Sequence, residues 1–232
     1  MNFTLYIHTF RQILHQRLRL VLTALVFLGS LLFYKIPGAF EKGYLTAPWF
    51  VWLLGNGLVG KDVSQGALHL YFTRPIHRAS YLLTKWAALV TVATGLAWIH
   101  LLLGVSISGS SFDPAALATV GLAAFLLAAG MAALAAALSC WLSGMGDLPG
   151  YIGLIVSALI LKALLEHWNI PTESFQKAAE EFLFPGVSLA QTVASGTWGI
   201  GPWLPYLAVV LACLALGIWG LDRKELGYSQ NA

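Results

Sequence analysis

Apolar residues fall in long runs separated by short polar intervals, and the intervals set the organisation of the chain. Over residues 2–19 the pattern is helical. Phe3, Ile7, Phe10, Leu14 and Leu18 recur on one side; Thr4, His8, Arg11, His15 and Arg19 recur on the other, with Arg17 near the boundary. A basic face opposite an aromatic and aliphatic one predicts a helix lying in the bilayer interface. A first span is expected from Leu20 to Ile36, retained rather than cleaved as a signal, and ended by Pro37-Gly38 before a short loop over 38–47. A second is expected from Tyr44 to Gly60. It is short and interrupted by Gly55, Gly57 and Gly60, as a tilted, broken or partly re-entrant segment would be. Residues 61–85 are polar. Span three is expected over Trp86 to Val105. After the loop Ser106 to Pro114, Asp113-Pro114 supplies an N-cap and a first-turn proline for span four, Ala115 to Leu142. Its Ala, Leu and Gly content suits close helix packing. Ser143 to Gly150 reads as a turn, Tyr151 to Leu165 as span five, 167–200 as a non-spanning segment, Pro202 to Leu221 as span six, and Asp222 to Ala232 as a polar tail.

Composition sharpens this picture. Of 232 residues, 58% are hydrophobic and only 10% charged, against about 25% charged in soluble domains. At roughly 20 apolar residues per span, the length fits about six spans in a single membrane domain, residues 1–232, with no separate soluble domain. The fold class expected is therefore all-α integral membrane. Tyr34, Tyr44, Trp49, Trp86, Trp141, Tyr151, Trp168, Trp203 and Trp219 lie near predicted span ends and read as interfacial anchors. Cys140 and Cys213 sit in apolar runs far apart and read as small buried hydrophobes. The formal net charge of +3 is too small to imply nucleic acid.

The distribution of charge is more telling than its sum. With six spans both termini share a side. That side holds Arg11, Arg17, Arg19, Lys61, Arg74, Arg78, Lys85, Arg223 and Lys224, against Lys35, Lys42, Lys162 and Lys177 on the other. The bias predicts cytoplasmic N and C termini in a multi-pass protein of the cell (inner) membrane.

Between spans two and three the chain reads KDVSQGALHLYFTRPIHRASYLLTK. Asp62, Gln65 and His69 fall on one helical face; Val63, Ala67 and Leu70 fall on the other. Arg74-Pro75 breaks the helix, and Pro75 can open the next one. The residues from Asp62 to Arg78, followed by Tyr81-Leu-Leu-Thr-Lys85, resemble the cytoplasmic signature of the type 2 ABC exporter permeases. Asp62 matches the acidic position, Gly66 the glycine after it, Arg74, Pro75 and Arg78 the turn, and Lys85 the basic residue at re-entry. Asp62 stands where Glu is usual, and Ala67 where Thr is usual. The resemblance implies six spans, an N-terminal interfacial helix, and a coupling helix over 61–72 that docks on an ATPase subunit. Two ATPase copies and a second permease chain, same or homologous, are implied as partners, with ATP and Mg bound by the ATPase and no cofactor in this chain. It further implies that reversing charge at Asp62 or Arg74 uncouples hydrolysis from transport in a folded protein.

Other features are weighed against that reading. No Gly-x-x-x-x-Gly-Lys-Ser/Thr loop occurs, so the ATPase is expected on another chain. An intramembrane enzyme would need a nucleophile with a base, or metal ligands at helical spacing. The histidines are scattered and no His-Glu-x-x-His occurs, so no catalytic residue is assigned. An anchoring or assembly subunit without a pathway is the other alternative. His100, alone in span three, reads as a hydrogen-bonded interhelical residue, Lys162 and Glu166 as a local i,i+4 pair, and Asp147 as solvated. Residues 172–184 read as a short amphipathic helix at the outer surface, with Phe175, Ala179 and Phe182 on one face and Pro185-Gly186 ending it. The segment reads either as an outer gate or substrate-release element or as a plain interfacial helix.

Overall fold

A computed structural model of the chain describes residues 3–36, 38–65, 76–108, 113–142, 144, 146–168, 170–197 and 199–229, the last six of these by backbone alone. The regular structure of the described residues is all helical. In chain order the helices are α1 (Phe3–Leu14), α2 (Arg17–Leu31, extended by a 3-10 turn to Lys35), a 3-10 segment Phe40–Thr46, α3 (Ala47–Gly55) and α4 (Gly60–Ser64). They continue with α5 (Arg78–Ser108), α6 (Pro114–Trp141), α7 (Asp147–His167), α8 (Glu173–Leu183), α9 (Val187–Ala194) and α10 (Trp203–Ser229). Among the described residues five helices are long and apolar enough to cross a membrane: Arg17–Lys35, Arg78–Ser108, Pro114–Trp141, Asp147–His167 and Trp203–Arg223. The chain thus has the character of a multi-pass membrane protein.

Helix α6 is the centre. Of its most apolar window, 89% is buried, against 6% in α7. It packs on α10, α5, α9 and α3, and alanines such as Ala128, Ala132 and Ala136 let those neighbours approach. Its start is built as expected: Asp113 Oδ1 accepts from the Ala115 N–H at 2.9 Å and Pro114 takes the first turn. Basic side chains gather at one end of the bundle, where Arg19 reaches α3, Lys61 reaches Gln16 before α2, Lys85 reaches α4, and Arg78 at the start of α5 reaches α10. Lys35 and Lys42 lie toward the other end, beyond the α2 turns that pack on His100.

The expected second span is not one long helix. It is the 3-10 segment followed by α3, buried at Tyr44, Ala47, Phe50, Val51, Trp52 and Leu54. The glycines explain its end. Gly57 holds φ +70°, and a Cβ there would meet the Gly144 carbonyl at 2.7 Å. The segment is longer than its residue count suggests. Seven residues at about 2.0 Å and nine at about 1.5 Å extend about 27 Å.

Helix α1 has three faces rather than two. Leu5, Thr9 and Ile13 are buried against α5, a face the apolar pattern did not single out. Phe3, Ile7 and Leu14 are exposed, as lipid-facing residues are, and His8 and Arg11 form a polar third side; the single helix expected over 2–19 breaks at His15-Gln16, so Leu18 and Arg19 belong to α2.

Three of the expected interfacial aromatics are instead buried: Tyr34, Tyr44 and Tyr151. Polar tips reach the carbonyls of neighbouring helices, which retain a second lone pair. Trp86 Nε1 donates to Ala129 O at 3.0 Å, Trp141 Nε1 to Leu216 O at 3.1 Å, and Tyr151 OH to Leu183 O at 2.9 Å. Trp49 and Trp168 are exposed, as anchors should be. Both cysteines are buried and free.

The helix expected over 172–184 is present as α8, with Pro185-Gly186 beyond its end, and a further helix, α9, follows it. Helices α8 and α9 form a hairpin whose corner, Pro185-Gly186, penetrates the bundle. A Cβ on Gly130 would meet the Pro185 carbonyl oxygen at 2.2 Å, so only glycine admits this approach. Gly130 lies sixteen residues from Pro114 and eleven from Trp141, well inside α6.

Candidate functional site: the basic end of the bundle

The predicted site residues divide into those the structure describes and those outside the described residues. Gly66, His69, Arg74 and Pro75 are outside them, as is all of the 61–72 helix beyond Gln65. Asp62, Gln65, Arg78 and Lys85 can be placed.

Asp62 and Lys85 come together. Asp62 sits in the single turn of α4, which is capped from α6: the Val59 and Gly60 N–H groups both donate to Ser139 Oγ at 2.9 Å. Lys85 lies two turns into α5. Both side chains are withdrawn from solvent, Asp62 3% and Lys85 0% exposed. Lys85 Nζ lies 2.8 Å from Asp62 Oδ2. It also donates to Gln12 Oε1 at 3.0 Å and Leu58 O at 3.3 Å, so its three protons have three acceptors. The carboxylate accepts in addition from Tyr81 OH at 2.6 Å and Gln12 Nε2 at 3.4 Å. Four residues from α1, α4 and α5 close a ring of charge-assisted bonds. Burial changes the expected role of Asp62. It is an internal clasp, and reversing its charge would set like charges together in the interior rather than leave the fold intact. Gln65, next along, is exposed.

Arg78 takes a different partner. Its Nε lies 3.0 Å from Asp222 Oδ1, both about half exposed, which ties the start of α5 to α10.

A second cluster went unnoticed in the sequence. Arg19 Nη1 donates to Leu54 O at 3.3 Å, satisfying a carbonyl in the last turn of α3. Asp147, expected to be solvated, is 1% exposed and starts α7, where Oδ2 accepts the Gly57 N–H. Arg19 Nη2 and Asp147 Oδ1 remain buried without a hydrogen-bond partner among the described residues. Lys61 Nζ donates to Gln16 Oε1 at 3.2 Å; partial burial, with Arg19 adding to it, holds its pKa below the ordinary lysine value. The two clusters join the entry of α2, the exit of α3, α4 and the starts of α5 and α7. The sequence offers an Arg at the head of an apolar run and an Asp in a polar glycine turn, and neither names its partner.

His100 behaves as expected. Ser30 Oγ donates to Phe27 O at 3.0 Å and so accepts from His100 Nε2 at 2.7 Å. Nδ1 is then left to accept from Tyr34 OH at 3.1 Å. Both ring nitrogens are used, leaving no free base. Beside it a cavity of about 950 Å³ opens between α2 and the 3-10 segment, lined by Val26, Ser30, Phe33, Leu45, Trp49 and His100. Lys162 Nζ and Glu166 Oε1 pair at 3.7 Å on the exposed side of α7.

No protein-family model matches the chain, and no curated protein is similar to it.

Proposed function

We propose that the chain is the membrane-spanning permease subunit of an ATP-driven ABC exporter, forming the substrate pathway and coupling to a separate ATPase subunit. The observation that carries this reading is the buried clasp of Asp62, Lys85, Tyr81 and Gln12. A pathway driven from outside the membrane needs a surface element whose displacement cannot be absorbed locally. Helix α4 is such an element. Its turn is held to α6 through Ser139, and its carboxylate is held to α5 and α1, so a push on residues 61–65 is passed to three helices at once. The resemblance of residues 62–85 to the permease signature supports the same reading. Gln65 and the residues after it would then form the ATPase contact, and Asp62 would transmit force.

In this reading the 3-10 segment with α3 is a sixth, short crossing, since about 27 Å approaches the roughly 30 Å hydrocarbon thickness. Both termini and the basic end are cytoplasmic, as the Lys and Arg bias requires, and the membrane is the inner one. Two permease chains and two ATPase copies form the complex, with ATP and Mg held by the ATPase. The apolar cavity beside His100 suits a hydrophobic or amphipathic substrate. Purification of the tagged chain from native membranes in mild detergent, with identification of co-purifying chains, tests the proposal. A stoichiometric ABC ATPase is expected. Its absence, also after cross-linking, would overturn the reading.

A further inference from the structure

The α8–α9 hairpin carries charge to a depth where lipid does not tolerate it. Three contacts hold its corner inside the bundle. The Pro185 carbonyl rests on Gly130, the Tyr206 ring lies against Gly186 while its hydroxyl donates to Leu126 O at 3.1 Å, and Leu183 O accepts from Tyr151 in the second turn of α7. At a rise of about 1.5 Å per residue, Gly130 lies about 24 Å along α6 from Pro114 and about 17 Å from Trp141. A helix of that length overhangs a bilayer about 30 Å thick by about 6 Å at each end when centred in it, which puts the corner within about 4 Å of half-depth. Glu181, one turn before it, is spent on the corner itself: its carboxylate accepts from the Gly186 N–H at 3.1 Å and Ser188 Oγ at 2.7 Å.

The rest of the polar side of α8 is not used this way. Glu173, Gln176, Lys177 and Glu180 follow i, i+3, i+4, i+7 along one strip, and all four are exposed. Glu180 lies five residues before Pro185, within about 8 Å of the corner along the helix. It makes no ion pair among the described residues. Phe175 and Ala179 are half-buried on the other side, and Phe182 is exposed there at 42%. An ionised carboxylate facing lipid at this depth is costly, so such groups face protein or a water-filled cavity. Here protein does not cover the strip.

We infer that the polar strip of α8 lines a water-filled vestibule that enters from the end opposite the basic cluster and reaches to about the middle of the membrane. Within one chain the strip faces outward, so the far wall is a second copy; that part rests on the two-permease reading. The water itself follows from depth and charge and needs no ATPase.

Nitroxide labels on single cysteines, in a Cys140→Ala/Cys213→Ala background reconstituted into phosphatidylcholine vesicles without any ATPase, test this. Labels at Glu180→Cys, Phe182→Cys and the lipid-facing Leu159→Cys of α7 are compared for collision with oxygen and with a water-soluble nickel chelate. The Phe182 label is expected to report a depth near that of Leu159, while the Glu180 label collides several-fold more often with the nickel chelate than either. A shallow Phe182 label means that the hairpin lies on the surface, and a Glu180 label as oxygen-rich and nickel-poor as Leu159 means that the strip faces lipid. Either overturns the inference. An ATPase found in the pull-down beside a lipid-like Glu180 would sink the vestibule alone; the reverse pairing would sink only the exporter reading.

Discussion

Breaking the Asp62–Lys85 pair should cost far more than its four-residue ring suggests, and removing both charges should restore much of the loss. In Asp62→Leu, Lys85 keeps Gln12 Oε1 and Leu58 O but loses the only anion within 4 Å in the described structure. In Lys85→Met, Asp62 keeps the Tyr81 and Gln12 donors but stays charged at 3% exposure. Leaving one buried charge uncompensated costs about 3–5 kcal/mol. Additive behaviour would therefore predict about 6–10 kcal/mol for the double variant. Replacing both charges with apolar groups removes that penalty, leaving mainly a Gln12 amide that has lost both partners and a Tyr81 hydroxyl that has lost its carboxylate, at about 1–3 kcal/mol for a lost buried hydrogen-bond partner. The double variant should thus be no less stable than either single one. Unfolding of the purified protein in detergent, followed by tryptophan fluorescence against denaturant, gives the three free energies. Single variants within about 1 kcal/mol of the parent, as for a solvated ion pair, would refute the buried clasp. So would strict additivity in the double variant.

Other predictions follow from the same contacts. Gly130→Val places a side chain where a Cβ alone would come within 2.2 Å of a backbone oxygen; overpacking of this kind costs about 1–3 kcal/mol or expels the hairpin, read as a lower melting temperature and a shallower Phe182 label. His100→Leu leaves Ser30 and Tyr34 without their shared partner and should cost about 1–3 kcal/mol, whereas His100→Gln, which keeps a donor and an acceptor, should lose less in the same unfolding assay. Asp147→Ala removes the acceptor of the Gly57 N–H and should loosen the start of α7, measured as faster amide exchange at Gly57, Gly150 and Tyr151, with Asp147→Asn intermediate.

The membrane character, the helical class and the positions of the long runs were legible from the chain alone. Lipid offers no hydrogen-bond partners, so each crossing must satisfy its own backbone and advertise itself as an apolar run with helical length. The Asp113-Pro114 start of α6 and the buried cysteines were legible for similarly local reasons. What each polar residue does within the bundle was not. Asp62 and Lys85 were recognised singly, as matches to a signature, but their pairing joins residues 23 positions apart through a segment whose path the pattern does not specify. Asp147 looked solvated because it stands in a polar turn; packing of that turn against Gly57 buries it. Residues 172–194 looked external because they are too polar and too short for a span. Only the bundle decides that the corner at Pro185-Gly186 enters it, since the opening is made by a missing side chain on another helix, at Gly130. Local propensity and the bilayer select the elements, whereas burial of a charge or a turn depends on which surfaces meet, and that information is spread over several elements at once.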